Sequence, residues 1–256
     1  MVDLGIDLPE GHTLVSLAER PDLIRPCSQF NGAVWPTFML QDAQADSHWH
    51  HFDEDFPEYQ LVLLDGAGEI AATNNSAPIA WDGTDDDLPE GWDDQVIRTV
   101  RNLLDGTAVD TLGAIQIVVD PARRGSRLGG VMVRAMQANA RRRGYRAVIA
   151  CVRPTEKDRY PLIPIERYAF WTRPDGLPFD AWIRLHVRLG ARIVRGSPRA
   201  MTIRGSIVDW EGWTGTTFPG TGDFILPFAA APIHIDREAD EGVYYDPNVW
   251  VVHDLG

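Results

Sequence analysis

Apolar and polar positions divide the first half of the chain into short strands and helices. The run HTLVSLAER (12–20) predicts a first strand, and residues 60–81 predict two strands joined by a tight turn that contains Asp-Gly. Residues 21–55 have helical spacing that proline and glycine interrupt. The acidic stretch 82–94 is interpreted as a solvated connector, and the apolar positions within 96–104 predict a short amphipathic helix after it.

The second half predicts a strand, a helix and another strand in succession. The β-branched run TLGAIQIVV (111–119) indicates a buried strand. Helical spacing of apolar side chains begins at Ser126 or Arg127 and ends at Arg143, and residues 145–152 predict the next strand. We therefore expect a compact βαβ unit.

The region after this unit is less regular. Five prolines exclude long elements from 153–179, whereas 180–191 has the spacing of a helix. Residues 191–208 then indicate two closing antiparallel strands.

Composition places the chain among globular proteins. Apolar residues make up 44% of it and charged residues 24%. No apolar run approaches ~18 residues and no N-terminal stretch has the pattern of a signal peptide, so we expect a cytoplasmic protein that does not engage a membrane. Cys27 and Cys151 match no metal or redox spacing and are interpreted as two unrelated buried thiols.

Charge is distributed unevenly along the chain. The net charge is −13, yet residues 111–204 carry 19 basic and 6 acidic side chains, a local charge of +13. Within that segment, residues 121–146 hold eight arginines and no carboxylate. A ligand that bears phosphate groups would meet positive potential there.

The segment PARRGSRLGGVMV (121–133) joins the buried strand to the helix. Free backbone N–H groups at a helix N-terminus bind phosphate, and glycines allow the ligand to approach the backbone closely. The segment contains neither the Gly-x-x-x-x-Gly-Lys-Ser/Thr of a P-loop nor the Gly-x-Gly-x-x-Gly of a dinucleotide fold. It is therefore predicted to be a phosphate-binding loop of another kind.

Two stretches resemble the GNAT superfamily of acyl-CoA-dependent N-acyltransferases. VVDPARRGSRLGG is similar to the signature of a strand followed by Arg/Gln-x-x-Gly-x-Gly/Ala at the start of a helix. Arg124 matches its first position and Gly129 its last, while Arg127 replaces the first glycine. LHVRLGARIV (185–194) resembles the late-helix motif Leu-Tyr-x-x-Leu-Gly-Phe, with His186 in place of the tyrosine.

The resemblance implies an α/β fold of the α+β type, in which helices flank a mixed, mostly antiparallel central sheet. It extends over residues 12–208, so we expect a GNAT-like acyltransferase domain over 1–208 and a C-terminal β-containing extension over 209–256. The extension shows only two β-like runs, at 231–235 and 248–253. With too few apolar residues for a core of its own, it is expected to pack on the same domain.

The resemblance also implies a reaction. An acyl group, most simply acetyl, would pass from acyl-CoA to an amine of a small molecule, by direct attack of the amine and without a metal. Acyl-CoA would lie in a V-shaped opening between strands 114–119 and 147–152, and a backbone N–H of the first strand would stabilise the oxyanion. Pantetheine would pair with the main chain of the strand and pyrophosphate would bind the loop. The residues expected to bind this co-substrate are Ile117, Val118, Val119, Arg124, Gly125, Ser126, Arg127, Leu128, Gly129 and Gly130.

Two residues are candidates for catalysis. His186 stands where many relatives carry an acidic tyrosine, and a histidine of near-neutral pKa would protonate the leaving thiolate or act as the base. A surface or core histidine without a catalytic role is the alternative. Gln116 lies where relatives often carry a glutamate, but an amide can only position water or substrate. Glu166 is a further candidate base.

Parts of the sequence also suggest functions other than acyl transfer. The sequence also allows a catalytically inactive acyl-CoA-binding sensor or regulatory module of the same fold. The arginines of RRRGYR (141–146) suggest a nucleic-acid patch, which the overall acidity argues against. SHWHHFDEDF (47–56) suggests a metal site, although its spacing favours a polar helix end. The resemblance implies that this region lies near the acceptor. We expect no nucleic-acid or membrane partner, and a homodimer is left open.

Overall fold

A sheet of nine strands runs through residues 2–123 and 125–256, which a computed structural model describes. The strands are β1 (Thr13–Ser16), β2 (Leu61–Leu64), β3 (Ile70–Ile79), β4 (Thr111–Val119), β5 (Ala147–Val152), β6 (Ala191–Gly205), β7 (Gly222–Phe224), β8 (Ile233–Asp236) and β9 (Glu241–Asp254). Their order across the sheet is β1-β2-β3-β4-β5-β9-β8-β7, and β6 pairs with the other edge of β9. Only the β4–β5 pair is parallel.

Helices cover both faces of the sheet. On adjacent positions of β3, Thr73 donates a hydrogen bond to Asn31 and Asn74 donates one to the carbonyl of Met132, so the helices that hold these partners lie on opposite faces. The helices are α1 (Ile24–Gly32), α2 (Ala43–Glu54), α3 (Trp92–Asp105), α4 (Leu128–Arg142), α5 (Ile165–Tyr168), α6 (Ala181–Arg188) and α7 (Ile207–Thr214). We call the side of α1, α2 and α3 the first face and the side of α4 and α6 the second face.

The apolar side chains of α4 explain its position. Leu128, Val131, Met132 and Ala135 are spaced three and four residues apart, and they form one cluster with apolar residues of β2 and β3. Burial of such a stripe stabilises the helix on the sheet by about 1.5–3 kcal/mol for each large side chain. The strand, helix and strand predicted between 111 and 152 are all present.

Three expectations are wrong. Residues 191–208 were expected to form two strands, but β6 is one long strand with bulges and the helix α7 follows it. The stretch 82–94 is not entirely a solvated connector, because α3 begins at Trp92, whose side chain is buried. The tail contains more secondary structure than its two β-like runs suggested, since it contributes α7 and three strands.

The strand β9 lies in the middle of the sheet. Its second half pairs with β5 on one edge and with β6 on the other, and its first half also pairs with β8. The division of the chain at residue 208 stays a prediction, but residues 241–254 supply a central strand. Trp250, Val251 and Val252 on this strand are completely buried.

Two further observations concern the whole fold. Both cysteines, Cys27 and Cys151, are buried free thiols, as expected. Among the described helices, none is long and apolar enough to cross a membrane.

Candidate active site

Strands β4 and β5 separate partway along the sheet. Their parallel pairing runs from Thr111 opposite Ala147 to Ala114 opposite Ala150 and then stops, although β4 continues to Val119. The edge of β4 that faces β5 beyond Ala114 therefore has no strand partner among the described residues. This is the V-shaped opening that the sequence predicted between these two strands.

A β-bulge marks the point of separation. Asn75 of β3 lies opposite Gln116, while the next residue, Ser76, lies opposite Ala114, so Ile115 is an extra residue on β4. Helix α3 binds the main chain at this point: Trp92 Nε1 donates to the Ile115 carbonyl at 2.8 Å, and Gln95 Nε2 donates to the Ala114 carbonyl at 2.9 Å. The first turn of α3 is thereby fixed beside the opening.

The predicted phosphate loop leads into α4 at one side of this opening. Arg127 precedes the helix with φ +68°, the left-handed conformation that a glycine adopts without strain. The residue that departs from the family signature therefore adopts a backbone conformation that favours glycine. A non-glycine residue in this region costs of order 1 kcal/mol.

Several N–H groups of this loop are free. Those of Gly125, Arg127, Leu128 and Gly129 meet no acceptor among the described residues. By contrast, the N–H groups of Ser126 and Gly130 already donate to the carbonyls of Arg123 and Arg127. Free N–H groups at the first turn of a 15-residue helix suit an anion.

The arginines near the loop differ in whether they form ion pairs. Arg123 is held by ion pairs with Asp65 and, at 3.1 Å, with Asp120, so it fixes the loop to the sheet. Arg127 is exposed and forms no ion pair with a described residue. Arg124 lies outside the described residues.

Gln116 belongs to a polar network on the first face. Trp35 Nε1 donates to Gln116 Oε1 at 3.2 Å, and Gln116 Nε2 donates to Asn75 Oδ1 at 3.4 Å. Asn75 Nδ2 in turn donates to Gln60 Oε1 at 3.0 Å. Both ends of the Gln116 amide are therefore engaged.

Trp35 connects the two arms of the opening. Besides its bond to Gln116 on β4, its ring lies 5.9 Å from the guanidinium carbon of Arg153, which directly follows β5. The half-buried indole thus crosses the gap between the separated strands on the first face.

His186 is buried on the second face in a chain of three polar side chains. Gln137 Nε2 donates to His253 Nδ1 at 2.9 Å and to the Leu189 carbonyl at 3.0 Å, and His253 Nε2 lies 3.0 Å from His186 Nδ1. Because the amide nitrogen can only donate, His253 carries its proton on Nε2 and donates to His186. His186 then carries its own proton on Nε2, an atom without a described partner.

Both histidines are neutral at physiological pH. Burial, followed by the neighbouring His253, lowers the pKa of His186 to about 3, and burial lowers the pKa of His253 to about 4. His186 therefore lacks the near-neutral pKa on which the expectation of a proton donor rested. Its Nε2–H can donate a hydrogen bond.

Two carboxyl groups meet on the first face next to the bulge. Asp42, which caps α2, uses Oδ1 to accept from the N–H groups of Gln44 and Ala45, at 3.0 and 2.8 Å. Asp93, the residue after Trp92, uses Oδ2 to accept from the Thr202 N–H at 2.9 Å. The other oxygen of each residue, Oδ2 of Asp42 and Oδ1 of Asp93, is buried without a hydrogen-bond donor.

The two carboxyl groups of this pair do not both ionise at neutral pH. Burial, followed by the charge of Asp42, raises the pKa of Asp93 to about 8. Burial also raises the pKa of Asp42. Asp93 is accordingly protonated at neutral pH, because two carboxylates this close do not both ionise without a cation.

A third carboxylate nearby is already neutralised. Asp246 on β9 accepts from Arg153 Nε at 2.9 and 3.1 Å and from the Tyr244 hydroxyl at 2.5 Å. Arg153 also donates to the carbonyl of Phe228 at 2.6 Å. The arginine next to Trp35 is thus committed to Asp246, and among the described residues the Asp42–Asp93 pair has no basic partner.

Sequence analysis missed this carboxyl pair. Asp42 has the sequence signature of a helix N-cap, and Asp93 lies in the acidic stretch interpreted as solvated. The Gly-Trp pair at 91–92 was one usable signal in the sequence. In the structure, a Cβ on Gly91 would lie 2.3 Å from the Ala200 Cα, so the start of α3 packs directly against β6. The histidine run, by contrast, occupies the C-terminal half of α2, and Glu166 lies exposed on α5.

Comparisons with known proteins bear on this arrangement. No family model matches the chain. Arginine N-acetyltransferase avaD from Aspergillus versicolor is 29% identical over 283 aligned positions, which cover 98% of this chain and 97% of that protein. The loading GNATL domain of CurA from Lyngbya majuscula superimposes with a TM-score of 0.56 at 16% identity, covering 95% of this chain and 98% of that one. The chain therefore has the GNAT fold and is similar over nearly its whole length to a protein named as an N-acetyltransferase.

A second solved GNAT structure agrees. The GNAT-like decarboxylase GphF, solved in complex with isobutyryl-CoA, superimposes with a TM-score of 0.56 at 19% identity, covering 96% of this chain and 99% of that one. The mixed, mostly antiparallel sheet flanked by helices is therefore confirmed as the GNAT fold. The relative named as an N-acetyltransferase supports an acyl-CoA-dependent N-acyltransferase with an amine as acceptor. The alternative of an inactive sensor gains no support from these relatives.

No metal centre accompanies this site among the described residues. No group of three or more His, Cys, Asp or Glu side chains there is arranged to hold a metal ion. In the histidine run that suggested a metal site, His51 Nδ1 lies 2.6 Å from Asp55 Oδ2.

Proposed function

We propose that this GNAT protein acetylates an amine of a small cationic molecule of the arginine class. The observation that carries the proposal is the separation of β4 and β5 beyond Ala114, beside the free N–H groups that begin α4. The relative named arginine N-acetyltransferase supports the acceptor class, because its similarity extends over nearly the whole chain.

On the second face, the chain would hold the CoA moiety largely through its backbone. The N–H groups of Arg127, Leu128 and Gly129 would bind pyrophosphate, with the guanidinium of Arg127 beside it. The free edge of β4 from Ile117 to Val119 would pair with pantetheine. Gly125 contributes a free N–H, whereas Ser126 and Gly130 shape the turn, since their own N–H groups are used within it.

His186 would act as a hydrogen-bond donor in its neutral form. A neutral imidazole cannot lose its remaining proton at physiological pH, so His186 would stabilise developing negative charge on sulfur without protonating it. Gln137 and His253 would keep the N–H on Nε2, where it is free to donate. Gln116 would position Trp35 across the opening and would take no part in proton transfer.

The remaining expectations belong to the same proposal. The protein would work in the cytoplasm on a dissolved acceptor, without nucleic-acid or membrane partners. A homodimer is compatible with the proposal and is not required by it. The acidic first part of the chain, with 22 acidic and 4 basic residues in 1–110, would favour approach of a cation.

The test is a transfer assay with the purified protein. Acetyl-CoA is incubated with L-arginine, L-lysine, agmatine and an uncharged amine, thiol release is followed, and the products are identified by mass spectrometry. We expect stoichiometric CoA and monoacetylated arginine, with lower rates for the uncharged amine. No thiol release with any of the amines would contradict the proposal.

A further inference from the structure

The Asp42–Asp93 carboxyl pair has features that suit the binding of a cation. Asp42 is only 1% exposed, yet its Oδ2 has no hydrogen-bond donor, and Oδ1 of Asp93 is equally buried and unpaired. Each carboxyl group is anchored through its other oxygen, to the start of α2 and to the main chain of β6 respectively. Two fixed acids with unpaired, buried oxygens are expensive to bury in the ionised form unless a cation joins them.

The pair lies next to the reaction centre. Asp93 directly follows Trp92, whose indole nitrogen binds the carbonyl of the bulge residue Ile115. Asp93 is partly exposed, although its Oδ1 and the Oδ2 of Asp42 are themselves buried. A cation bound there would place the rest of its molecule toward the opening between β4 and β5.

The charged surroundings favour one kind of occupant. The groups that face the pair are Asp46 from α2 and Asp246 from β9, and Arg153 neutralises only the latter. A guanidinium is planar and offers five N–H donors in a fork, so it can bond oxygens of two carboxylates at once. An ammonium is more strongly hydrated and matches such a fork less well.

We infer that Asp42 and Asp93 together bind the guanidinium of the acceptor and present its α-amine to the opening. This inference rests on the proposed function and assigns the residues that select the substrate. In the unliganded protein the pair holds one proton. When guanidinium binds, the O–H bond of Asp93 breaks, its proton passes to solvent, and both carboxylates pair with the cation.

Calorimetry tests the inference without requiring turnover. L-arginine is titrated into the protein with saturating CoA at pH 7, in buffers that differ in ionisation enthalpy. We expect release of about one proton for each arginine bound. L-citrulline, which has a neutral urea in place of the guanidinium, should bind about 100-fold more weakly and release no proton.

Variants locate the effect. Asp93→Asn and Asp42→Asn keep an oxygen for their backbone donors, and each should weaken arginine binding about 100-fold, with Asp93→Asn also abolishing proton release. Asp94→Asn, the same charge change one residue along α3, is the matched control and should bind arginine normally. Because the citrulline comparison uses the unaltered protein, a variant that fails to fold does not leave the inference untested.

The outcomes separate this inference from the proposed function. Arginine binding that is equal in the Asp93→Asn, Asp42→Asn and Asp94→Asn proteins would overturn the inference, even if acetylarginine is formed. Binding that depends on the pair, with no acetylated product, would overturn the proposed reaction and retain the receptor. Similar affinities for arginine and citrulline would also overturn the inference.

Discussion

The two faces of the sheet each bury a pair of titratable side chains, and the two pairs behave in opposite ways. On the second face, His186 and His253 are completed by Gln137, and every nitrogen but one has a partner. On the first face, Asp42 and Asp93 are anchored at one oxygen each and have an unpaired oxygen that no donor reaches. Burial favours the neutral form in both, but the histidine pair has one buried nitrogen without a described partner, whereas the carboxyl pair has two such oxygens. The proposed guanidinium would complete the carboxyl pair.

The histidine pair should give the largest effect, through stability at acid pH. Both folded-state pKa values lie below the ordinary value near 6.5, so their stabilisation is complete above pH 6.5 and is lost as pH falls toward 4. The free energy of unfolding should fall by roughly 3 kcal/mol between pH 6.5 and 5. Urea unfolding over this range measures it.

A variant makes this assignment specific. His253→Gln should flatten the acid slope, whereas His50→Gln, which alters an exposed histidine of α2, should leave it unchanged. A wild-type stability that does not vary between pH 6.5 and 5 would show that the two histidines are not held neutral.

Charge reversal in the loop tests whether the second face recognises its ligand by phosphate contacts. Arg124→Glu combined with Arg127→Glu should raise the KM for acetyl-CoA about 100-fold, since two charge-assisted contacts of about 1.5 kcal/mol each would be lost. The kcat at saturating acetyl-CoA should stay within about threefold, because the loop is proposed to bind the pyrophosphate and not the thioester.

The control for this double variant is Arg134→Glu, a charge reversal on the exposed side of α4. It should change the KM for acetyl-CoA by less than about threefold. An equal effect of both variants would mean that the general positive potential, not the loop, accounts for binding.

The carboxyl pair should show a smaller effect of the opposite sign. The folded-state pKa of Asp93 is raised to about 8, so its contribution to stability is present at low pH and declines as pH rises from about 4 to 8. Asp93→Asn removes this decline. The variant should exceed the wild type in unfolding free energy by about 1 kcal/mol or more at pH 8 and match it at pH 4.

This gain in stability should accompany the loss of arginine binding described above. Thermal unfolding of both proteins at pH 4, 6 and 8 supplies the comparison, with Asp94→Asn as the control. A variant that is less stable than the wild type at pH 8 would contradict the raised pKa of Asp93.

Sequence analysis recovered the second face far better than the first. The strand 111–119, the loop and α4 are contiguous, and their hydrophobic period and glycines are local signals. The first-face site draws on Trp35, Asp42, Asp93 and Gln116, and tertiary packing alone brings them together. Only Gln116 was proposed in advance, from its place on the strand.

His186 also shows that sequence signals do not reveal contacts made by tertiary packing. Its position in the late helix could be predicted from the motif, but its low pKa could not, because that depends on His253 about 67 residues away and on complete burial. The central position of β9 was missed for a related reason. Short apolar runs do not reveal which strands they will pair with.

The smallest expected effect concerns the backbone of Arg127. Because this residue has φ +68°, Arg127→Gly should relieve strain and raise the unfolding free energy by about 0.5 kcal/mol, part of the gain being offset by the greater freedom of glycine in the unfolded chain. The KM for acetyl-CoA should rise about threefold, since the guanidinium is lost.

The control for this change is Arg127→Ala. It removes the same guanidinium and keeps a Cβ, so the KM should rise equally without any gain in stability. Equal stability of the glycine and alanine variants would contradict the strain at this position.

The central position of β9 also constrains the order of assembly during synthesis. While residues 241–254 are still inside the ribosome, β5 and β6 have emerged and each exposes an edge that only this strand can cover. The core of the nascent chain therefore stays incomplete until β9 has emerged, and the long-range contacts of β9 form last. A chaperone that shields these edges during translation would therefore raise the yield of this enzyme more than one that acts after release.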